Sequence, residues 1–457
     1  MDILLSTFDV VARAGGGGSG GSSGGGGGMG VGSYLLYVIF YYPIYKLSDA
    51  LRQKLEFWQA LIISTFISVL YGGVTFFYLF INDAGLLMAL LPPMFIVNGL
   101  VIGLMGVRTK FMKRIRVAQA RRRTALQNDV SWQDNALVEM VADTFYQFQD
   151  DWSSMNVHNM RTYLHPGYWY HIELMLRALR LRGRVNLVSN PRIRSIDFVT
   201  IHDVDGHERD MFEVLIIARA EDRLVELSNN KLLYRDSGEF AEVWQFARIK
   251  GQWLLTGIQQ TTSDKRYIKP EIKAFSIKND YHYSSDWGSL LLPTRGQLFN
   301  KSSFRKSDIN NHVIGEYGGV LFEVYTYIRR VSQLSIFPDS EMLVLQATLP
   351  KSYGKIVVQQ KQPRWHIDKL YPIPRGLQKI SMEGVSFYRR YQVYAENIEQ
   401  VTSFELLDPR LMELLMQTET PINMEVYDNV LYLYSSTNVS YEELFDIFKK
   451  AYDNVKQ

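Results

Sequence analysis

At 457 residues the chain exceeds the size at which one hydrophobic core stops growing, so more than one folded unit is expected. The absence of cysteine excludes disulfide frameworks, thiolate nucleophiles and every cysteine-containing zinc or iron–sulfur site. A net charge of only +3 argues against nucleic acid as a partner of the whole chain.

In chain order, Met1 to Ala14 carries Asp2 and Asp9 and no basic run before its apolar residues, which argues against a cleaved signal peptide. Gly15 to Gly28 holds only glycine and serine, so 1–30 is read as a flexible tail. Its match to a nucleophile elbow at Gly20-Gly21-Ser22-Ser23-Gly24 has no strand before it and means nothing. A membrane anchor is expected over 31–107. Phe57 to Asn82 carries no charge, and after Asp83 the stretch Ala84 to Val107 is again uncharged. A bilayer core of ~30 Å needs roughly 20 apolar residues at helical rise, so 57–82 and 84–107 are read as a transmembrane hairpin, kinked at Pro92-Pro93. The tyrosine-rich stretch 31–45 either spans as well or lies in the interface.

The segment 108–130 follows as a basic juxtamembrane stretch. Arg108, Lys110, Lys113, Arg114, Arg116, Arg121, Arg122 and Arg123 have no acid among them, whereas the hairpin turn carries only Asp83. By the positive-inside rule the C-terminal side is cytoplasmic, giving a multi-pass protein of the cell (inner) membrane. The same eight cations are candidates for anionic lipid, at about 1 kcal/mol each near the surface.

A globular unit is expected over 131–262. Trp132, Ala136, Leu137, Met140, Val141, Phe145 and Phe148 form a helical stripe, and a second helix follows His165-Pro166-Gly167. Arg192 to His202 and Asp210 to Ala220 read as a hairpin around Asp205-Gly206, with Phe212, Val214, Ile216 and Ala218 on one face. Phe240 to Lys250 and Gln252 to Thr261 form another around Lys250-Gly251. Helices followed by antiparallel strands, with the run Glu242, Trp244, Phe246, Arg248 closed by Trp253, Leu255, Ile258 and Gln260, resembles the Tim-44-like domain, the family of the mitochondrial import-motor tether and its bacterial relatives. The resemblance covers about 125–262. It implies a cone like that of nuclear transport factor 2, with helices on a curved antiparallel sheet around an apolar pocket, and association with membranes and protein partners. Tyr168, Trp169, Phe212, Trp244, Phe246, Trp253 and Ile258 are the pocket candidates, and core packing is the commoner fate of such aromatics. His165, His171 and Asp197 are the acid–base candidates if a cone of this kind is instead an isomerase or dehydratase. His202, Asp203, Asp205 and His207 cluster near the first turn at a spacing that matches no zinc or calcium motif.

Residues 263–292, polar and without clear period, read as a linker or an irregular edge, and 293–457 as a second α+β unit. Strand alternation appears at Val320 to Ile328, Leu343 to Leu349 and Lys355 to Gln359. Asp408-Pro409 opens a helix, Asp428-Asn429 turns a hairpin, and Ser440 with Glu443 makes a capping box before a last helix. The runs Ile314 to Gly319, Tyr391 to Tyr394 and Leu406 to Met412 are similar to a family of uncharacterised bacterial membrane-associated domains. The whole is thus expected to be α+β, a membrane anchor carrying two soluble units. It is read as a non-enzymatic scaffold with membrane lipid and an unknown protein as partners and no cofactor. A small transporter or channel subunit is disfavoured because the spans lack ionisable residues apart from Asp83.

Overall fold

The computed structural model describes residues 107–204, 209–261, 269–285, 290–291, 309–329, 340–361, 376–380, 386–396, 406–436 and 439–456. The tail and the expected spans, up to residue 106, lie outside them, as does the Asp205-Gly206 turn. Among the described residues no helix is long and apolar enough to cross a membrane.

The first unit begins with α1 (Val107–Asn128), a 3-10 turn (Val130–Trp132), α2 (Asp134–Ser153), α3 (Val157–Met160) and α4 (Pro166–Leu181). Its strands are β1 (Arg184–His202), β2 (Met211–Glu226), β3 (Lys231–Asp236), β4 (Glu239–Ile249) and β5 (Gln252–Gln260), all antiparallel in the order β1-β2-β4-β5, with β3 also on β2. Both hairpins expected from alternation are present. Arg184 to Ser189 extends the first one, and Lys250 (φ 49°) with Gly251 (φ 80°) supplies the left-handed pair that a two-residue hairpin loop demands.

Period-two patterning divides β2 between two cores. Phe212, Val214, Ile216 and Ala218 face α2 and α4, while Leu215 joins Val199, Ala241 and Val243 on the opposite face. Register shifts in β1 at Ser189/Arg192, Ile193/Ser195 and Phe198/Thr200 are bulges that bend the strand. The free edge of β5 is covered by the chain before α4, since Leu255 N–H donates to Tyr163 O and His165 N–H to Leu255 O, both at 2.9 Å.

The segment 108–130 does not stand apart from this unit. It is α1, and its Ile115, with Phe111 and Met112, packs into the Leu215 core behind the sheet. Ala118 and Ala125, one and three turns later, are buried in the main core, so the helix crosses from one side of the sheet to the other along β1.

The second unit comprises α5 (Pro270–Lys278), β6 (His282–Ser284), β7 (Ile309–Tyr317), β8 (Val320–Arg329), β9 (Ser340–Thr348), β10 (Lys355–Gln360), β11 (Gln378–Ile380), α6 (Phe387–Arg390), β12 (Tyr391–Ala395), α7 (Pro409–Gln417), β13 (Asn423–Tyr427), β14 (Val430–Ser436) and α8 (Tyr441–Lys456). Nine antiparallel strands run β11-β12-β10-β13-β14-β9-β8-β7-β6. The stretch 263–292, read from sequence as a linker or an irregular edge, therefore supplies a helix, Pro270–Lys278, and an edge strand, His282–Ser284, of this unit. One sheet face, with Val324, Leu345, Leu433 and Val358, packs on α5, α7 and α8. The expected caps form: Asp408 Oδ1 accepts from Leu411 N–H at 2.6 Å, and Ser440 Oγ from Glu443 N–H at 3.0 Å.

The two units meet. Ile314 and Leu321 of the second sheet, with Leu290 and Leu291, are buried in the same cluster as α4.

Candidate functional site

The motif run on β4 lies on one face of the sheet and does structural work from end to end. Glu242 is fully buried and its Oε2 accepts from Trp244 Nε1–H at 2.9 Å. Trp244 packs on Phe145 and Phe148, each with ring centroids 5.5 Å away. Phe246 stacks on Phe212 at 4.9 Å, and Trp253 sets its edge against Phe212 at 4.9 Å and Trp132 at 5.1 Å. Arg248 then ends the run in an ion cluster with Asp129 and the fully buried Asp210, whose other oxygen takes the Val204 N–H at 2.9 Å. Burial alone pushes the Asp129 carboxyl up, but Ser131 and the Arg248 guanidinium outweigh it and hold the group down at about 2.

Of the pocket candidates, Tyr168, Phe212, Trp244, Phe246 and Ile258 are brought together in the main core, with Trp169 and Trp253 half-buried against it. Trp169 also receives Arg161 over its ring at 4.0 Å and donates Nε1–H to Val157 O at 2.8 Å.

The acid–base candidates occupy three separate settings. His165 caps α4, its Nδ1 accepting from Gly167 N–H at 3.2 Å. Asp197 pairs with Arg108 at 2.7 Å. His171 is buried on α4 and stacks against His282 of β6, centroids 5.2 Å apart. In the turn cluster Asp203 accepts from Trp132 Nε1–H at 3.0 Å, and among the described residues no group of histidine and acidic side chains has metal-binding geometry.

Seven of the eight cations of 108–130 separate by helical phase. Arg108 reaches Asp197, Arg114 reaches Glu213 at 2.6 Å, Arg122 pairs with Asp134, and Arg121 points to Ile201 O at 3.5 Å. The contacts to Asp197, Glu213 and Ile201 run along the sheet and fix α1 to β1 and β2, while the Arg122–Asp134 pair ties it to the start of α2. Lys113, Arg116 and Arg123 are exposed, separated by three and seven residues on one helix face, and no acidic partner lies within ion-pair distance among the described residues. Ala120, also exposed, sits between them. This sorting was not legible in the sequence, where all eight looked equivalent; the signal that separates them is the position of Phe111, Ile115 and Ala118, which marks the buried side.

Fold and site together define a chain of two α+β units on antiparallel sheets, entered through a helix with a basic outer face. No family model matches it, and no curated protein does. Two solved structures are similar in part. The mycobacterial trehalose monomycolate transport factor A, TtfA, matches at 12% identity over 41% of this chain and 93% of its own, with a TM-score of 0.27. The intermembrane space region of the chloroplast protein ARC6 matches at 11% identity over 28% of this chain and 96% of its own, with a TM-score of 0.24. The resemblance to Tim-44-like domains read from the β4–β5 residues is not confirmed by these comparisons.

Proposed function

We propose that this protein is a non-catalytic, membrane-anchored scaffold whose first unit, a Tim-44-like cone, is held against an anionic bilayer surface to bind a protein partner. The observation that carries the reading is the division of α1: paired cations toward the sheet, unpaired Lys113, Arg116 and Arg123 away from it. The uncharged stretch 84–107 ends where this helix starts, so α1 would leave the bilayer at headgroup depth. Three cations there are worth about 1 kcal/mol each to anionic lipid, a useful supplement to an apolar anchor and too little to bind alone. A packed aromatic core, with the acid–base candidates dispersed into a cap, an ion pair and an inter-unit stack, supports binding over catalysis.

The test uses the full chain in native membranes. The reading requires that it resist alkaline carbonate extraction and that protease added outside sealed cells leave the Trp244 sheet intact. Release by carbonate, or digestion of that sheet from outside, would remove it.

A further inference from the structure

Three of the eight histidines in the chain, His171 of α4, His282 of β6 and His312 of β7, converge where the two units meet. The arrangement is built. His171 and His282 lie nearly parallel, 12° apart, and Tyr170 sets its edge against His282 at 5.4 Å. His312, fully buried, has Nε2 3.2 Å from Glu323 Oε2, and the other oxygen of that carboxylate takes Arg182 from the end of α4 at 2.5 Å. At the rim Glu316 accepts from Tyr170 Oη at 3.3 Å and pairs with Arg177 at 3.1 Å.

We propose that this seam is an acid-labile latch: the second unit is docked on α4 at neutral pH and released when the stacked pair His171 and His282 takes up protons.

The charged and titratable neighbours favour that direction. From α4 the seam is faced by Tyr168, Tyr170, Glu173, Arg177 and Arg182, and from β1 by Arg184. Asp280, Tyr281 and Tyr283 belong to the approach to β6 and to the strand itself; Glu316 comes from β7, Glu323 and Tyr325 from β8, and Tyr432 from β14. The only buried carboxylate in this group is Glu323, already shared between Arg182 and His312. Although burial pushes Glu323 up, Arg182 and His312 outweigh it and keep it ionised. Burial, then the neighbouring imidazoles His282 and His312, drive His171 well below its ordinary value of 6.5. Burial lowers His282 too, against a small opposing pull from Asp280.

The sign follows from linkage. Both rings are neutral when docked and recover an ordinary value near 6.5 when released, so the released state binds more protons. Docking is fully stable above that value. As pH falls below it, the equilibrium shifts toward release by up to about tenfold per pH unit for each ring, until the docked-state value is reached.

The chain has no cysteine, so cysteines introduced at the exposed Lys231 and Asp453 give a donor–acceptor pair across the units of the full chain, with no background. Energy transfer is expected to be constant between pH 8 and 7 and to fall reversibly toward pH 5 while far-ultraviolet dichroism is unchanged. His171→Phe combined with His282→Phe preserves two stacked rings and should make transfer insensitive over this range. Transfer that stays level to pH 5 in the parent overturns the latch, as does a fall that tracks loss of helix signal or is identical in the double variant. If the double variant fails to fold, His282→Phe alone should reduce the pH dependence by up to tenfold per pH unit, and an unchanged profile there overturns the proposal equally.

Discussion

Arg248 and Arg182 each hold a buried carboxylate, Asp210 in one case and Glu323 in the other, yet the two clusters lie in different kinds of place. The Arg248 cluster is internal to the first unit: it ties the 3-10 turn and the β1–β2 connection to the end of β4. The Arg182 cluster joins two units, and its second partner is a histidine. Beside the second cluster lie His171 and His282, stacked at the same joint and held by burial below their ordinary value, so acid reaches the joint through those two rings rather than through the carboxylate. One therefore closes a fold and the other closes a joint.

Four perturbations test that contrast. The largest effect belongs to Arg248→Ala, which leaves Asp210 buried without its cation and should destabilise the first unit by about 3–5 kcal/mol in urea denaturation. Gly315→Ala should cost about 1–3 kcal/mol by overpacking, because an added Cβ would lie 2.5 Å from the Tyr281 ring and 2.9 Å from that of Phe322. The loss should appear in the second unit alone if the units unfold separately. Asp129→Asn should cost about 1 kcal/mol at neutral pH. Since the folded carboxyl is depressed to about 2, its contribution is present above the ordinary value of 3.8 and disappears as pH falls from there toward 2. Denaturation midpoints of the parent and the Asn variant should therefore converge in that window. The smallest effect belongs to Lys113→Glu, Arg116→Glu or Arg123→Glu, each within about 0.5 kcal/mol in detergent, because these side chains touch nothing that holds the fold. A larger loss would mean that the outer face of α1 is structural.

What the sequence made legible was local. The Lys250-Gly251 hairpin, the Asp408-Pro409 helix start and the Ser440 half of the capping box each depend on residues a few positions apart, and each is present as read. The role of Arg248 was not legible, because Asp129 is 119 residues away and nothing in the Glu242 to Arg248 run specifies a partner. The strand β6 escaped notice because three residues, His282-Tyr283-Ser284, carry no period, and its pairing with Ile314, Val313 and His312 is tertiary. His171 was picked out as an acid–base candidate for its chemistry, and its neighbour His282 comes from the stretch read as a linker or an irregular edge. The helical state of 107–128 was hidden by its eight cations, which broke any apolar stripe: the helix buries only single small or branched residues, Ile115, Ala118 and Ala125, against two different cores.

The central claim is that α1 fastens to the sheet with one side and faces a bilayer with the other. Ala120, exposed between Arg116 and Arg123, replaced by cysteine and carrying a fluorophore in the full chain, reports it directly. In nanodiscs containing a headgroup-borne quencher, quenching at this position should be strong with anionic lipid, several-fold weaker with neutral lipid, and reduced to the neutral level by Lys113→Glu, Arg116→Glu and Arg123→Glu together. A probe at Lys231, on β3, should be quenched in neither. Equal quenching at both positions, or quenching at Ala120 that ignores lipid charge, would contradict the account.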